Sequence, residues 1–189
     1  MENALIVSHS EKSPASFTEM LKAASMKRIT IVESAGAARR MLLEQDFDLV
    51  LVQAPLRDES GECLARQIVS KGTTQVILIV KSEHFDAISA ACENDGVLVI
   101  TKPVERAFFG VALTLAKAAQ NRIKNVQAEN EWLKLKMEDI RLVDRAKWKL
   151  VSHLKLSEQD AHRFIEKQSM DRRSTKKAIA KEILKMYEN

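Results

Sequence analysis

Two groups of side chains in this sequence have the types and spacing to do chemistry. The first closes short apolar runs: Ser8 and His9 follow ALIV, Gln53 ends FDLVLVQ, Val80 and Lys81 end VILIVK, and Lys102 precedes Pro103. Apolar runs of this length read as buried strands, so their last residues are delivered together to one edge of a sheet. A carboxylate at position 53 could share a metal ion or act as a nucleophile; the amide of Gln53 does neither. Ser8 beside His9 has the composition of a nucleophile and its base. Neighbouring side chains on a strand point apart, however, and His9 has no acidic partner nearby in sequence. Cys63 and Cys92 lack metal-ligand spacing. No catalytic residue, metal site or cofactor is therefore expected. The second group lies in the last quarter of the chain: Lys147, Arg163, Lys167, Arg172, Arg173 and Lys177, with His162 among them. These supply cations for phosphate, and the arginines add planar donors for base edges.

The elements that must hold these groups follow from periodicity. Strand-type runs at residues 4–7, 29–32, 49–52, 76–80 and 97–100 alternate with helical spacing at 17–24, 35–44, 63–69, 84–93 and after Glu105. Continuous apolar strands separated by helices predict an α/β fold with a five-stranded parallel sheet covered on both faces. From 111 to 144 there is no glycine or proline and helix formers dominate, which predicts one long helix. Ile123, Asn130 and Met137 take the a positions of a heptad, with Val126, Leu133 and Ile140 at d. An asparagine at a single a position suits a parallel two-stranded coiled coil, while the same seam could instead fold back on the α/β front of the chain. Three short helices follow, over 144–153, from Ser157, and over 175–186, with Ser169–Ser174 as the last junction. Ser157 and Asp160 give the middle helix a capping-box-like start.

Charge divides the same way. Residues 1–110 carry 12 Lys/Arg against 15 Asp/Glu, while residues 111–189 carry 18 against 11, within a net charge of +4. A polyanion would thus be met by the rear of the chain. With 46% apolar residues the chain can bury a core. No apolar stretch reaches membrane-spanning length, and MENALIVSHSEK lacks a basic segment and cleavage site, so a cytoplasmic protein with no membrane partner is expected.

The strand order and the Lys102-Pro103 step resemble the receiver domain of two-component response regulators, a flavodoxin-like fold. The resemblance implies an acidic magnesium-holding pair after the first strand, a phosphoacceptor aspartate ending the third, and a hydroxyl residue ending the fourth. Only the lysine ending the fifth is matched. Ser8 and His9, Gln53 and Val80 stand at the other places, and Val99 stands where an aromatic switch residue is usual. Asp48 begins the strand that Gln53 ends, too far off to substitute; Asp58 and Glu59 lie in the next loop. These departures imply a pseudo-receiver in which Lys102 bonds Gln53 or strand-end carbonyls. Further on, Ala146-Lys147, the run LSEQDAHRFIEKQSMDRR at 156–173, and the helix containing Ala180 resemble the ANTAR module of bacterial transcription antiterminators. That resemblance adds Ala146, Lys147, Ala161 and Met170 as RNA-face or site-shaping positions.

Together the two resemblances imply a pseudo-receiver at 1–118, a coiled-coil linker helix at 119–143 and an ANTAR RNA-binding domain at 144–189. They are similar in plan to the amidase-operon antitermination regulator, which also has a degenerate receiver and is restrained by a protein partner. The implied function is transcription antitermination by a homodimer that binds paired hairpins in nascent leader mRNA, independent of aspartyl phosphorylation and open to control by a partner protein. Two rivals share these features: a DNA-binding regulator using the 160–168 helix, and an adaptor that sequesters partners through its pseudo-receiver.

Overall fold

The computed structural model describes residues 1–10 and 13–187. It divides into two compact units, Met1–Asn125 and Val126–Asn189. In the first, five strands, β1 (Asn3–Val7), β2 (Arg28–Val32), β3 (Leu49–Gln53), β4 (Gln75–Lys81) and β5 (Leu98–Lys102), form one parallel sheet in the order β2-β1-β3-β4-β5. Register pairs Ala4 with Leu49, Leu49 with Gln75 and Ile77 with Leu98, which aligns the carboxyl ends of the central strands.

Alternation along each strand feeds two cores. Leu5, Val7, Val50, Val52, Leu78 and Val80 face α2 (Ala35–Glu44), α3 (Glu62–Ser70) and α4 (Phe85–Cys92). Ala4, Ile6, Leu49, Leu51, Ile77 and Ile79 face α1 (Ser13–Ala23) and the start of α5 (Arg106–Leu154), where Phe109, Ala112, Leu113 and Ala116 are buried. Burial on both faces is why the strands read as unbroken apolar runs.

Helix ends follow local chemistry. Ser34 caps α2 by accepting from the Ala37 amide, and the Asp58 carboxylate accepts from the amides of Ala35 and Gly36 at 2.9 Å each. A carboxylate there is favoured by the unpaired amides and by the helix dipole. α3 is preceded at its N-cap by Gly61, whose φ of 89° suits a residue without a side chain.

The second unit packs the end of α5 against α6 (Glu158–Asp171) and α7 (Lys176–Tyr187) around Ala146, Leu150, Ala161, Ile165, Ile179, Ala180, Ile183 and Leu184. Ser157 caps α6, accepting from the Asp160 amide at 3.1 Å. α6 runs three residues beyond Gln168, so Ser169 and Met170 are helical and the junction expected at 169–174 shortens to the turn after Asp171. Ser169 permits this because its hydroxyl turns inward to the Glu166 carbonyl at 2.7 Å. The turns after α5 and α6 contain no glycine; Lys155 (φ 55°) and Arg173 (φ 48°) adopt the left-handed conformation instead. That costs a non-glycine residue roughly 1–2 kcal/mol.

Candidate functional site

The strand-end edge of the first unit gathers Ser8, Gln53, Val80 and Lys102. Ser8 and Gln53 are buried, and the Ser8 hydroxyl donates to Gln53 Oε1 at 2.6 Å while accepting from the Ser10 amide at 3.2 Å. Lys102 Nζ donates to the Ala54 carbonyl at 2.7 Å, and not to Gln53. Burial, helped by the nearby charge of Lys81, lowers the Lys102 pKa from its ordinary value. Val80 is buried with the sheet core, and His9 turns outward to solvent.

A divalent ion at this edge would need carboxylate oxygens. Ser8, Gln53 and Val80 provide none, so these residues do not fit a magnesium site, and among the described residues no cluster of His, Cys, Asp and Glu could hold a metal. The loop carboxylates are committed elsewhere. Asp58 is bound to α2, and hydrogen bonds from the Gly36 and Ala35 amides lower its pKa. Glu59 holds Arg39 at 2.9 Å and the Leu64 amide at 3.0 Å. A neutral hydrogen bond thus joins β1 to β3 where the receiver pattern has charge.

The cations of the second unit fall into two sets. Lys147 is largely shielded, with 16% of its side chain exposed; it bridges Asp144 at 2.8 Å and Glu158 at 3.3 Å, joining α5 to the start of α6. The hydrogen bond to Asp144, supported by Glu158, outweighs burial and raises its pKa. Arg172 pairs with Glu182, Lys176 with Glu166, Lys177 with Asp139, and His162 faces Glu166. Arg163, Lys167 and Arg173 are exposed and have no carboxylate partner among the described residues. Arg163, Lys167 and Met170 follow one another at i, i+4 and i+7 on α6, a single line along the helix. Arg173 stands in the turn just beyond it.

Ala146 and Ala161 require correction as contact residues. Both are completely buried, so their methyl groups set the spacing of α5 and α6 and cannot touch a ligand. Of the two roles expected, shaping from beneath is the one their burial allows. Met170 is 77% exposed at the end of the cationic line. Two aromatic residues outside the expected contact set are also exposed on this unit: Phe164, partly exposed beside that line, and Trp148, which stands in solvent. Helical spacing could have flagged Trp148: Ala146 and Leu150 define the buried side, and a residue midway between them lies opposite.

Comparison with known proteins agrees with this division. Residues 131–184 match the model of the ANTAR domain. The chain is 27% identical over 137 residues to the transcriptional regulatory protein PdtaR of Mycobacterium tuberculosis, covering 72% of this chain and 67% of that protein. Among solved structures, the receiver domain of an HD domain-containing protein from Pseudomonas fluorescens superposes with a TM-score of 0.59 at 21% identity, covering 66% of this chain and 92% of its own. A response regulator receiver domain from Clostridium thermocellum gives 0.57 at 18% identity, covering 67% and 99%. At such identities these structures establish the receiver fold alone.

Proposed function

From an ANTAR domain joined to a receiver fold, a chain similar to PdtaR-type transcriptional regulators, we propose a regulator that binds paired hairpins in nascent leader mRNA and favours read-through over termination. At the family level ANTAR domains serve RNA-binding antitermination, and they and receiver domains are regulatory modules rather than enzymes. Among the described residues no helix is long and apolar enough to cross a membrane.

The observation that carries the RNA reading is the uncompensated line Arg163, Lys167 and Arg173, ending beside exposed Met170. Free cations bind backbone phosphate, whereas cations already paired to carboxylates contribute less. Lys147, Arg172, Lys177 and His162 support this line by fixing the helices that carry it. The domain limits 1–118, 119–143 and 144–189 belong to the same reading. So does a homodimer through Ile123, Val126, Asn130, Leu133, Met137 and Ile140, which would present two modules to two hairpins and gain avidity. Control runs through a protein partner or through abundance, because Gln53 cannot form an acyl phosphate.

Binding of the full chain to a two-hairpin leader RNA, against a single hairpin and duplex DNA at two salt concentrations, tests the proposal. Preference for paired hairpins, weakened in an Arg163→Ala/Lys167→Ala/Arg173→Ala variant, is expected. Equal and salt-fragile binding to all three nucleic acids would reduce the basic face to a general polyanion surface.

A further inference from the structure

Trp148 is 71% exposed, although it is the largest apolar side chain on its stretch of α5. Val143, Ala146 and Leu150 face α6 and α7. At about 100° per residue, Trp148 lies about 200° from Ala146 and so on the opposite side. Three helical turns take about 11 residues. Met137 therefore lies in line beneath Trp148, and Val126 beneath Met137, with Leu133 and Ile140 flanking. Val126, Leu133, Met137 and Ile140 are between 45% and 55% exposed. This line of large apolar groups runs along the back of the second unit, away from its own core.

We infer that the whole line, Trp148 included, is the contact face for a second copy of this chain, so that the self-association seam continues past Ile140 along the back of the RNA-binding module. The inference rests on the homodimer reading above and extends it.

The polar residues on this face identify the occupant. Asn130 interrupts the apolar line, and among the described residues its amide reaches only the Val126 carbonyl of its own helix, at 3.1 Å. A parallel identical chain places Asn130 against Asn130 and satisfies both amides, which an unrelated apolar surface would not. Glu129 at g meets Lys134 at e of the second copy with opposite charge, twice by symmetry. Lys136, at the next g position, would face Arg141, but its ammonium lies 4.7 Å from the centre of its own Trp132 ring. That cation–π contact draws the like charges apart. Beyond Met137 the spacing lengthens from seven to eleven, a step that keeps a straight helix face in register. It places Arg141 and Asp144 between Ile140 and Trp148, where Arg141 of one copy can reach Asp144 of the other, which that copy's own Lys147 already holds at 2.8 Å.

Tryptophan fluorescence of the full chain reads the proposal directly. A Trp132→Phe variant leaves Trp148 as the single reporter, because the sequence holds two tryptophans. Emission and acrylamide quenching are followed across a dilution series whose association state is measured by sedimentation. The expected result is a blue shift and reduced quenching that track dimer formation. Trp148→Glu, at an exposed site where the monomer should fold normally, should weaken the dimer by about tenfold or more, the scale of losing a buried aromatic anchor. A dimer in which Trp148 stays freely quenched overturns the extended seam and leaves the homodimer standing. A chain that remains monomeric at all concentrations overturns both and gives this face to another partner.

Discussion

Asp48, which the sequence offered only as a carboxylate too distant from Gln53, collects four donors. The Glu2 amide lies at 2.6 Å and the Asn3 amide at 3.2 Å, with Gln120 Nε2 and Lys124 Nζ each at 2.9 Å. It ties the 120–124 stretch of α5 to the amino-terminal edge of the sheet, with 18% of its side chain exposed. Burial alone would raise its pKa. The hydrogen bonds from Glu2, Lys124, Gln120 and Asn3 outweigh that and hold the carboxyl far below the ordinary range. Hydrogen bonds to charged groups contribute about 1.5–3 kcal/mol each, but these four share one carboxylate and do not add. Lys124 is half exposed and regains water, whereas buried Gln120 keeps only the Asp48 carbonyl at 3.2 Å. Asp48→Ala should therefore destabilise the first unit by about 2–3 kcal/mol, and the near-isosteric Asp48→Asn by about 1–2 kcal/mol.

The pH dependence gives the sharper check. Because the folded pKa lies below the unfolded value of about 4, the charge contributes fully above that value and is lost as pH falls toward the folded one. Urea unfolding of the wild type and Asp48→Asn should show the gap at pH 7 narrowing progressively below about pH 4. Amide exchange in 120–125 should rise selectively in Asp48→Ala. A gap that stays constant on acidification, or unchanged exchange at 120–125, would refute the ionic clasp.

Three other outcomes follow from the contacts. Lys147→Ala should cost about 1 kcal/mol, seen in urea unfolding, because Asp144 and Glu158 are exposed enough to rehydrate; the salt dependence of RNA binding should stay as in the wild type. Arg163→Ala or Lys167→Ala should instead leave stability unchanged and lower the slope of log K against log salt by about 0.7 each. Arg173→Gly should stabilise the second unit by up to about 1 kcal/mol by relieving the left-handed backbone, yet weaken RNA binding in a filter or mobility assay. Gln53→Leu should cost about 1–3 kcal/mol in thermal unfolding by stranding the Ser8 hydroxyl, and neither form should gain phosphate mass with acetyl phosphate and magnesium.

The parallel sheet was legible because burial on both faces removes polar alternation from its strands, leaving runs such as LVLVQ that only turns and helices can separate. Gln53 was legible for a different reason: an amide excludes phosphotransfer wherever its side chain points. What escaped were relations between distant residues that share no period. Asp48 and Gln120 lie 72 positions apart, and nothing in either neighbourhood marks the clasp. Lys147 illustrates the boundary within one residue. Its partner Asp144 is one helical turn away and readable, whereas Glu158 lies across a turn whose geometry depends on Lys155 adopting a left-handed backbone. Ala146 and Ala161 show the converse limit. A small residue on a helix is compatible with a ligand at close approach or with another helix at close approach, and the pattern alone does not separate them. Their burial against α7 decides for the helix, and moves the candidate RNA face onto the outward line from Arg163 to Arg173. The core between α5, α6 and α7 occupies one side of α5, so the apolar line from Val126 to Trp148 lies on the other side and takes no part in it.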